Sequence, residues 1–159
     1  TVRAAAAGYP ALMGLDDAFG TLSALTTAYI PIMSGGPHIA MRLGGATGVG
    51  DMPFQFAPTI GGRSSLRGFS SRRFIGDASA NAGVELRVPV GEVNVMLRSK
   101  LAVFALADAG KVWLDGASPG GWHTGLGGGF WLAALGRSVS VAFAQGESPK
   151  FYVRMGQMY

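Results

Sequence analysis

Two carboxylates, Glu85 and Asp108, fall inside segments with strand patterning. The other seven of the nine, Asp16, Asp17, Asp51, Asp77, Glu92, Asp115 and Glu147, fall in turns or loops. Asp16-Asp17 reads as a turn pair rather than a catalytic dyad, and His38 and His123 are isolated: one an interfacial or lumenal polar residue, the other a loop-edge residue. The chain has no Gly-x-Ser-x-Gly elbow, no glycine-rich phosphate loop ending in Lys-Ser/Thr, no His/Asp/Glu cluster at metal spacing and no cysteine. The expectation is therefore no enzyme, no cofactor and no metal. What remains is electrostatic chemistry. Two carboxylates side by side on neighbouring strands repel, and one is driven to protonate unless a cation stands between them. A guanidinium is the natural partner because it binds carboxylates with two parallel bonds. Arg67 is one source, in the turn-rich run Gly61-Gly62-Arg63-Ser64-Ser65-Leu66-Arg67-Gly68-Phe69 that could fold back towards the strands. In the other arrangement Arg67 is solvated and Glu85 pairs with Arg87, Arg98 or Lys100 on the wall. The residues by themselves leave both open.

The elements that must carry these groups follow from composition. Of 159 residues, 48% are hydrophobic and only 14% charged, with a mean hydropathy of +0.30, against roughly 25% charge in soluble domains. That points to a membrane, but the best uncharged run, Ala18 to Met41, is broken by Pro31, Gly35, Gly36 and Pro37. A spanning helix needs about 20 predominantly apolar residues. Lipid cannot satisfy free backbone groups, so the remaining way across is a barrel whose strands bond one another. The 26 glycines disfavour helices and are tolerable in strands; a glycine-rich soluble sandwich is the competing reading. Net charge is +4 with the basic residues dispersed, so no nucleic-acid stripe is expected. The chain opens at Thr1 without a basic-then-apolar leader, which reads as a mature form or an excised segment.

Period-two alternation gives about eight strands: Val2 to Pro10, Phe19 to Ile30, His38 to Gly48, Ser79 to Pro89, Val95 to Trp113, His123 to Leu135, Arg137 to Gln145 and Lys150 to Tyr159. In the fourth, Asn81, Gly83, Glu85 and Arg87 share one face and Ala82, Val84, Leu86 and Val88 the other. In the last, Phe151, Val153 and Met155 oppose Arg154 and Gly156. Alternation alone does not say whether the apolar face looks into a core or out to lipid. The connections alternate long and short, as at the two rims of an outer-membrane barrel. An even strand count places both termini on the short-turn side, and Tyr159 falls where an aromatic girdle would lie. The expected fold is all-β, an antiparallel transmembrane barrel of about eight strands, either closed by itself or half of a sixteen-stranded one. One domain is expected over 1–159, with a long lumen-directed loop at 49–78.

The order of four motifs resembles the carboxy-terminal barrel of BamA-type outer-membrane assembly factors, also called the bacterial surface antigen family. Gly62-Arg63-Ser64-Ser65-Leu66-Arg67-Gly68-Phe69 is similar to that family's loop signature of aliphatic, Arg, Gly and aromatic residues. Asn81 to Pro89, Phe104 to Trp113 and Gly125 to Phe130 resemble the strands that follow it. The resemblance implies that Arg67 pairs with Glu85 and Asp108 on the wall, that Gly68 allows close approach, and that Phe69 packs in the lumen. Three strands before the loop and five after it match the second half of a sixteen-stranded barrel. Gln157 takes a lipid-facing position that is normally apolar in the family's terminal signal.

The function implied is insertion or export of client proteins without chemical catalysis, with client strands pairing at an edge. Only the closing strand, with Phe151, Val153, Met155 and Tyr159, is expected in this chain. The alternatives are a membrane anchor or exporter for a fused soluble domain, and a stand-alone eight-stranded barrel. Expected partners are the lipid bilayer, unfolded outer-membrane or secreted clients, and further segments or a second copy completing the barrel. The expected location is the bacterial outer membrane.

Overall fold

A computed structural model describes residues 1–9, 18–95, 97–114, 120–135 and 137–157. Asp16, Asp17, Asp115, Gly136 and Tyr159 lie outside them. Three strands come first, β1 (Val2–Tyr9), β2 (Phe19–Pro31) and β3 (His38–Val49). A long loop follows, holding a single 3-10 turn (Phe54–Phe56) and two short strands, β4 (Thr59–Ile60) and β5 (Phe74–Ile75). Then come β6 (Ala78–Val95), β7 (Leu97–Trp113), β8 (His123–Ala134), β9 (Arg137–Gln145) and β10 (Lys150–Gln157). The eight long strands form one antiparallel sheet in the order β1-β2-β3-β6-β7-β8-β9-β10. Every neighbour in space is a neighbour along the chain once the loop is set aside. Among the described residues, β1 pairs only with β2 and β10 only with β9.

The direction of the apolar face, which alternation left open, is decided by exposure. Leu43, Leu126, Phe151 and Met155 are 62%, 63%, 76% and 77% exposed. The largest wholly buried side chains are Ile60, Leu66 and Val112, and two of those three belong to the loop. A soluble sandwich buries its large apolar side chains between sheets; this sheet turns them outward and fills its concave side with polar groups and a loop, as a lipid-facing wall does. No helix among the described residues is long and apolar enough to cross a membrane, and strands are the crossing elements here.

Most strand ends fall within a residue or two of the expectation, and one connection differs by more. A turn was expected over Val90 to Asn94, yet β6 runs on to Val95 and β7 starts at Leu97. The register slips between Pro89 and Gly91. Proline cannot donate to the ladder, so it sits at a bulge rather than ending the strand, and the β-favouring Val90, Val93 and Val95 carry the hairpin further.

The registers align lumen-facing residues in rows across the wall. Arg42, Gly83, Asp108 and Gly125 form one row, and Ala40, Glu85, Leu106, Gly127, Ala144 and Lys150 the next. His38, Arg87, Phe104, Gly129, Ala142 and Tyr152 follow, then Pro89, Ala102, Trp131, Ser140 and Arg154. The first row lies nearest the long-loop rim, the last nearest the short turns.

Candidate functional site

The loop enters the concave side through the neck made by β4 and β5. Inside the neck, Ser65 closes a tight turn. Its Oγ accepts from the Gly61 amide at 2.9 Å and donates to the Gly61 carbonyl at 3.0 Å, and Leu66 bridges back to Gly62. The turn presents consecutive residues in different directions. Leu66 packs with Ile60, Phe69 and Val112 in a small apolar cluster, and Arg67 points at the wall.

Arg67 meets both carboxylates. Its Nε donates to Asp108 Oδ2 at 2.6 Å and its Nη2 to Asp108 Oδ1 at 2.8 Å, a two-pronged pair, while Nη1 donates to Glu85 Oε1. The Arg67 backbone amide also donates to Asp108 Oδ2, at 3.0 Å. Arg87 donates to the other Glu85 oxygen through Nε at 2.9 Å and Nη2 at 2.6 Å. Arg67 is buried rather than solvated, and of the second arrangement only the wall contact is present: Glu85 lies between Arg67 from the loop and Arg87 from its own strand. Arg98 pairs with Glu92 instead. Arg42 completes the group, its Nη2 standing 3.5 Å from Asp108 Oδ1 and donating to the Ser65 carbonyl at 2.9 Å. The Asp108 side chain has no exposure. Burying a carboxylate is costly unless charge and hydrogen bonds compensate it; two guanidinium groups and an amide do so here.

Two glycines make the approach possible. A Cβ added to Gly125, on β8 beside Asp108, would fall on the Arg67 carbonyl oxygen. Gly68 has φ +91°, and a Cβ there would press on the backbone of Gln145 and Gly146. Beyond Arg67 the loop is tied to the last hairpin. The Gly68 amide donates to Tyr152 Oη at 3.0 Å, and the Ser148 amide donates to the Gly68 carbonyl at 3.3 Å. Phe69 lies against Phe74 with ring centroids 5.4 Å apart, and Phe74 stacks on His123 at 3.8 Å. At the rim Arg73 binds Glu147 through Nε at 2.7 Å and Nη2 at 2.7 Å. That hydrogen bond holds the Glu147 carboxyl below the usual carboxylate range. At its other end the loop rests on β1 and β2, where Phe56 contacts Tyr9 and Phe19 at 4.9 and 5.1 Å.

Leu66, Arg67, Gly68 and Phe69 therefore all lie in the loop where it meets the wall, with Glu85 and Asp108 facing Arg67. Phe151, Val153 and Met155 lie on the outward face of β10, away from this group. Sequence reasoning missed Arg42 and Tyr152, although both lie on the polar face of their strands and parity alone would have put them in the lumen. Glu147 lies in the connection between β9 and β10 and His123 at the edge of a loop, as expected, but their contacts with Arg73 and Phe74 were not foreseen. His123 is the first residue of β8, with a buried Nε2 that has no hydrogen-bond partner among the described residues. No group of three metal-binding side chains occurs among the described residues.

An antiparallel sheet with an apolar outer face, a polar concave face, and long and short connections on opposite rims defines an outer-membrane β-barrel wall. The Omp85 superfamily domain matches residues 3–157. The chain belongs to that superfamily, the non-catalytic barrels of protein insertion and translocation in the Gram-negative outer membrane, as a BamA-type surface antigen barrel domain. Among curated proteins, none matches this chain.

Proposed function

We propose that this chain is the closing half of an assembly barrel, in which β10 offers its free edge to incoming client strands while Arg67 keeps the lumen loop seated. The observation that carries the reading is the position of β10. Among the described residues it has one hydrogen-bonded neighbour, and its inner face is tied to the loop through Tyr152. An extended client segment adds to such an edge through main-chain bonds, with alternate side chains facing lipid and lumen. The work is strand exchange, and no bond is made or broken in the client. The loop braces the sheet from β1 and β2 to β10, so the wall keeps its curvature while one edge exchanges partners. The outward Phe151, Val153 and Met155 keep that edge in register with the bilayer.

The test is client insertion by the full-length protein in proteoliposomes. Arg67→Ala in a correctly inserted barrel is expected to slow insertion by about tenfold or more, and Arg67→Lys to restore little, because an ammonium cannot make the two-pronged contact. Insertion at the parent rate by a folded Arg67→Ala barrel would overturn the role of the loop.

A further inference from the structure

Below the carboxylate group, towards the short-turn rim, the concave wall encloses a cavity of about 560 Å³. Five arginines line it, Arg42, Arg63, Arg67, Arg87 and Arg154, with Glu85 as the acidic residue on its lining. Asp108, behind Arg67 and Arg42, is the other nearby carboxylate. Three of the guanidinium groups are engaged by these two carboxylates. Arg63, at the tip of the loop, and Arg154, on β10, have no partner among the described residues. The site therefore carries an excess of positive charge: Arg63 and Arg154 are exposed and free to meet a ligand, and a concave wall lined by one sign of charge focuses its field.

The placement of the cations narrows the ligand. Arg154 lies in the last lumenal row beside Ser140 and Trp131, and Arg87 in the row above, on β6. From β6 to β10 there are four strand spacings of about 4.8 Å, or up to roughly 19 Å along the wall. One phosphate cannot bridge that distance. An extended peptide can, because its alternate side chains are spaced roughly 7 Å apart on one face. Trp131 offers a flat apolar surface between the charges, and Ser138 and Ser140 offer hydroxyls.

We propose that this cavity binds an acidic segment of an extended polypeptide, its carboxylates taken by Arg154 and Arg63 and its backbone lying across Trp131. The inference rests on the assembly reading and adds the substrate class: clients whose lumen-facing positions next to β10 carry Asp or Glu. A client strand paired with β10 places such a residue beside Arg154, where opposite charges on neighbouring strands attract.

The test uses the full-length protein in detergent and three probes: a ten-residue peptide with Glu at alternate positions, the same peptide with Lys, and inorganic phosphate. The Glu peptide is expected to bind, the Lys peptide not to, and phosphate to compete only far above the peptide concentration. Affinity for the Glu peptide should fall as salt shortens the screening length from about 10 Å at 0.1 M to about 3 Å at 1 M. Arg154→Gln with Arg63→Gln should weaken it roughly three- to tenfold, and Arg154→Lys with Arg63→Lys should recover most of the loss. Equal binding of both peptides, an affinity insensitive to the double Gln variant, or phosphate competing at peptide concentration would each overturn the proposal. Client insertion, measured on the same protein, separates the two ideas. Insertion without peptide discrimination contradicts the acidic site alone, and discrimination without insertion supports the site while contradicting the assembly reading.

Discussion

The backbone amide and the side-chain Nε of Arg67 both donate to one oxygen of Asp108, at 3.0 and 2.6 Å. A side chain alone would allow the loop to pivot about the ion pair. With the amide bound to the same oxygen, the main chain of the loop is held against β7, and the residues on either side inherit that position. Leu66 goes into the apolar cluster and Gly68 goes to Tyr152.

The three charged residues should behave as one network. Asp108→Asn is expected to destabilise more than Glu85→Gln, since Asp108 takes three of the Arg67 donors while Glu85 takes one and keeps Arg87. Removing one partner of a buried ion group costs about 3–5 kcal/mol, and the pairwise coupling should be about 1–3 kcal/mol. Heat-modifiable gel migration across a double-mutant cycle measures both. Additive effects would show that the residues act separately.

Gly125→Ala should reproduce the loss seen on removing Arg67, although it changes no charge. The added methyl occupies the place of the Arg67 carbonyl oxygen, so the loop must lift. Gly121→Ala, where a Cβ meets nothing, is the control. Accessibility of a cysteine introduced at Ser64 reports the displacement, and because the chain has no native cysteine the signal is unambiguous.

Tyr152→Phe removes the oxygen that accepts from the Gly68 amide while leaving the ring in place. A loss of about 1 kcal/mol is expected, with faster hydrogen exchange at Gly68 and along β10 and unchanged protection at Asp108. Protection of Gly68 equal to the parent would mean that the hydroxyl does not hold the loop.

The rim contact gives a pH dependence. The carboxyl of Glu147 titrates lower in the folded chain than when unfolded, through its hydrogen bond from Arg73. Its contribution is therefore complete above the unfolded value of about 4.3 and is lost as pH falls through the lower folded value. Both groups are exposed, so the effect is local and screened by salt. A spin label at Ser71→Cys should gain mobility in that acid range, and Glu147→Gln should show the mobile spectrum already at neutral pH. An acid step that persists in Glu147→Gln would assign it to another group.

Much of the wall was legible because the physics is local. Alternation in β3, β6, β9 and β10 gives the faces, and a carboxylate inside a strand must face the lumen. The extension of β6 past Pro89 was not legible, because proline reads as a stop when the bulge that accommodates it is a property of two strands together. Arg42 and Tyr152 were missed for a related reason. Parity puts both in the lumen, but only the folded loop shows that Ser65 and Gly68 come within reach of them. Alternation is shared by a sandwich and a barrel, so the outward direction of Phe151 and Met155 was legible only through the alternating connections and the family resemblance, and their exposure in the sheet agrees with it.

The central claim is that clients pair with the edge of β10, and cysteine scanning tests it most directly. Single cysteines at Phe151, Val153 and Met155, and at the inward Arg154, are paired one at a time with cysteines along a client's terminal strand during insertion by the full-length protein. The expected result is disulfide formation in a fixed antiparallel register, with inward and outward positions pairing separately, and its loss in Arg67→Ala. A client that inserts at the parent rate with no register-specific cross-link to any position of β10 would contradict the claim.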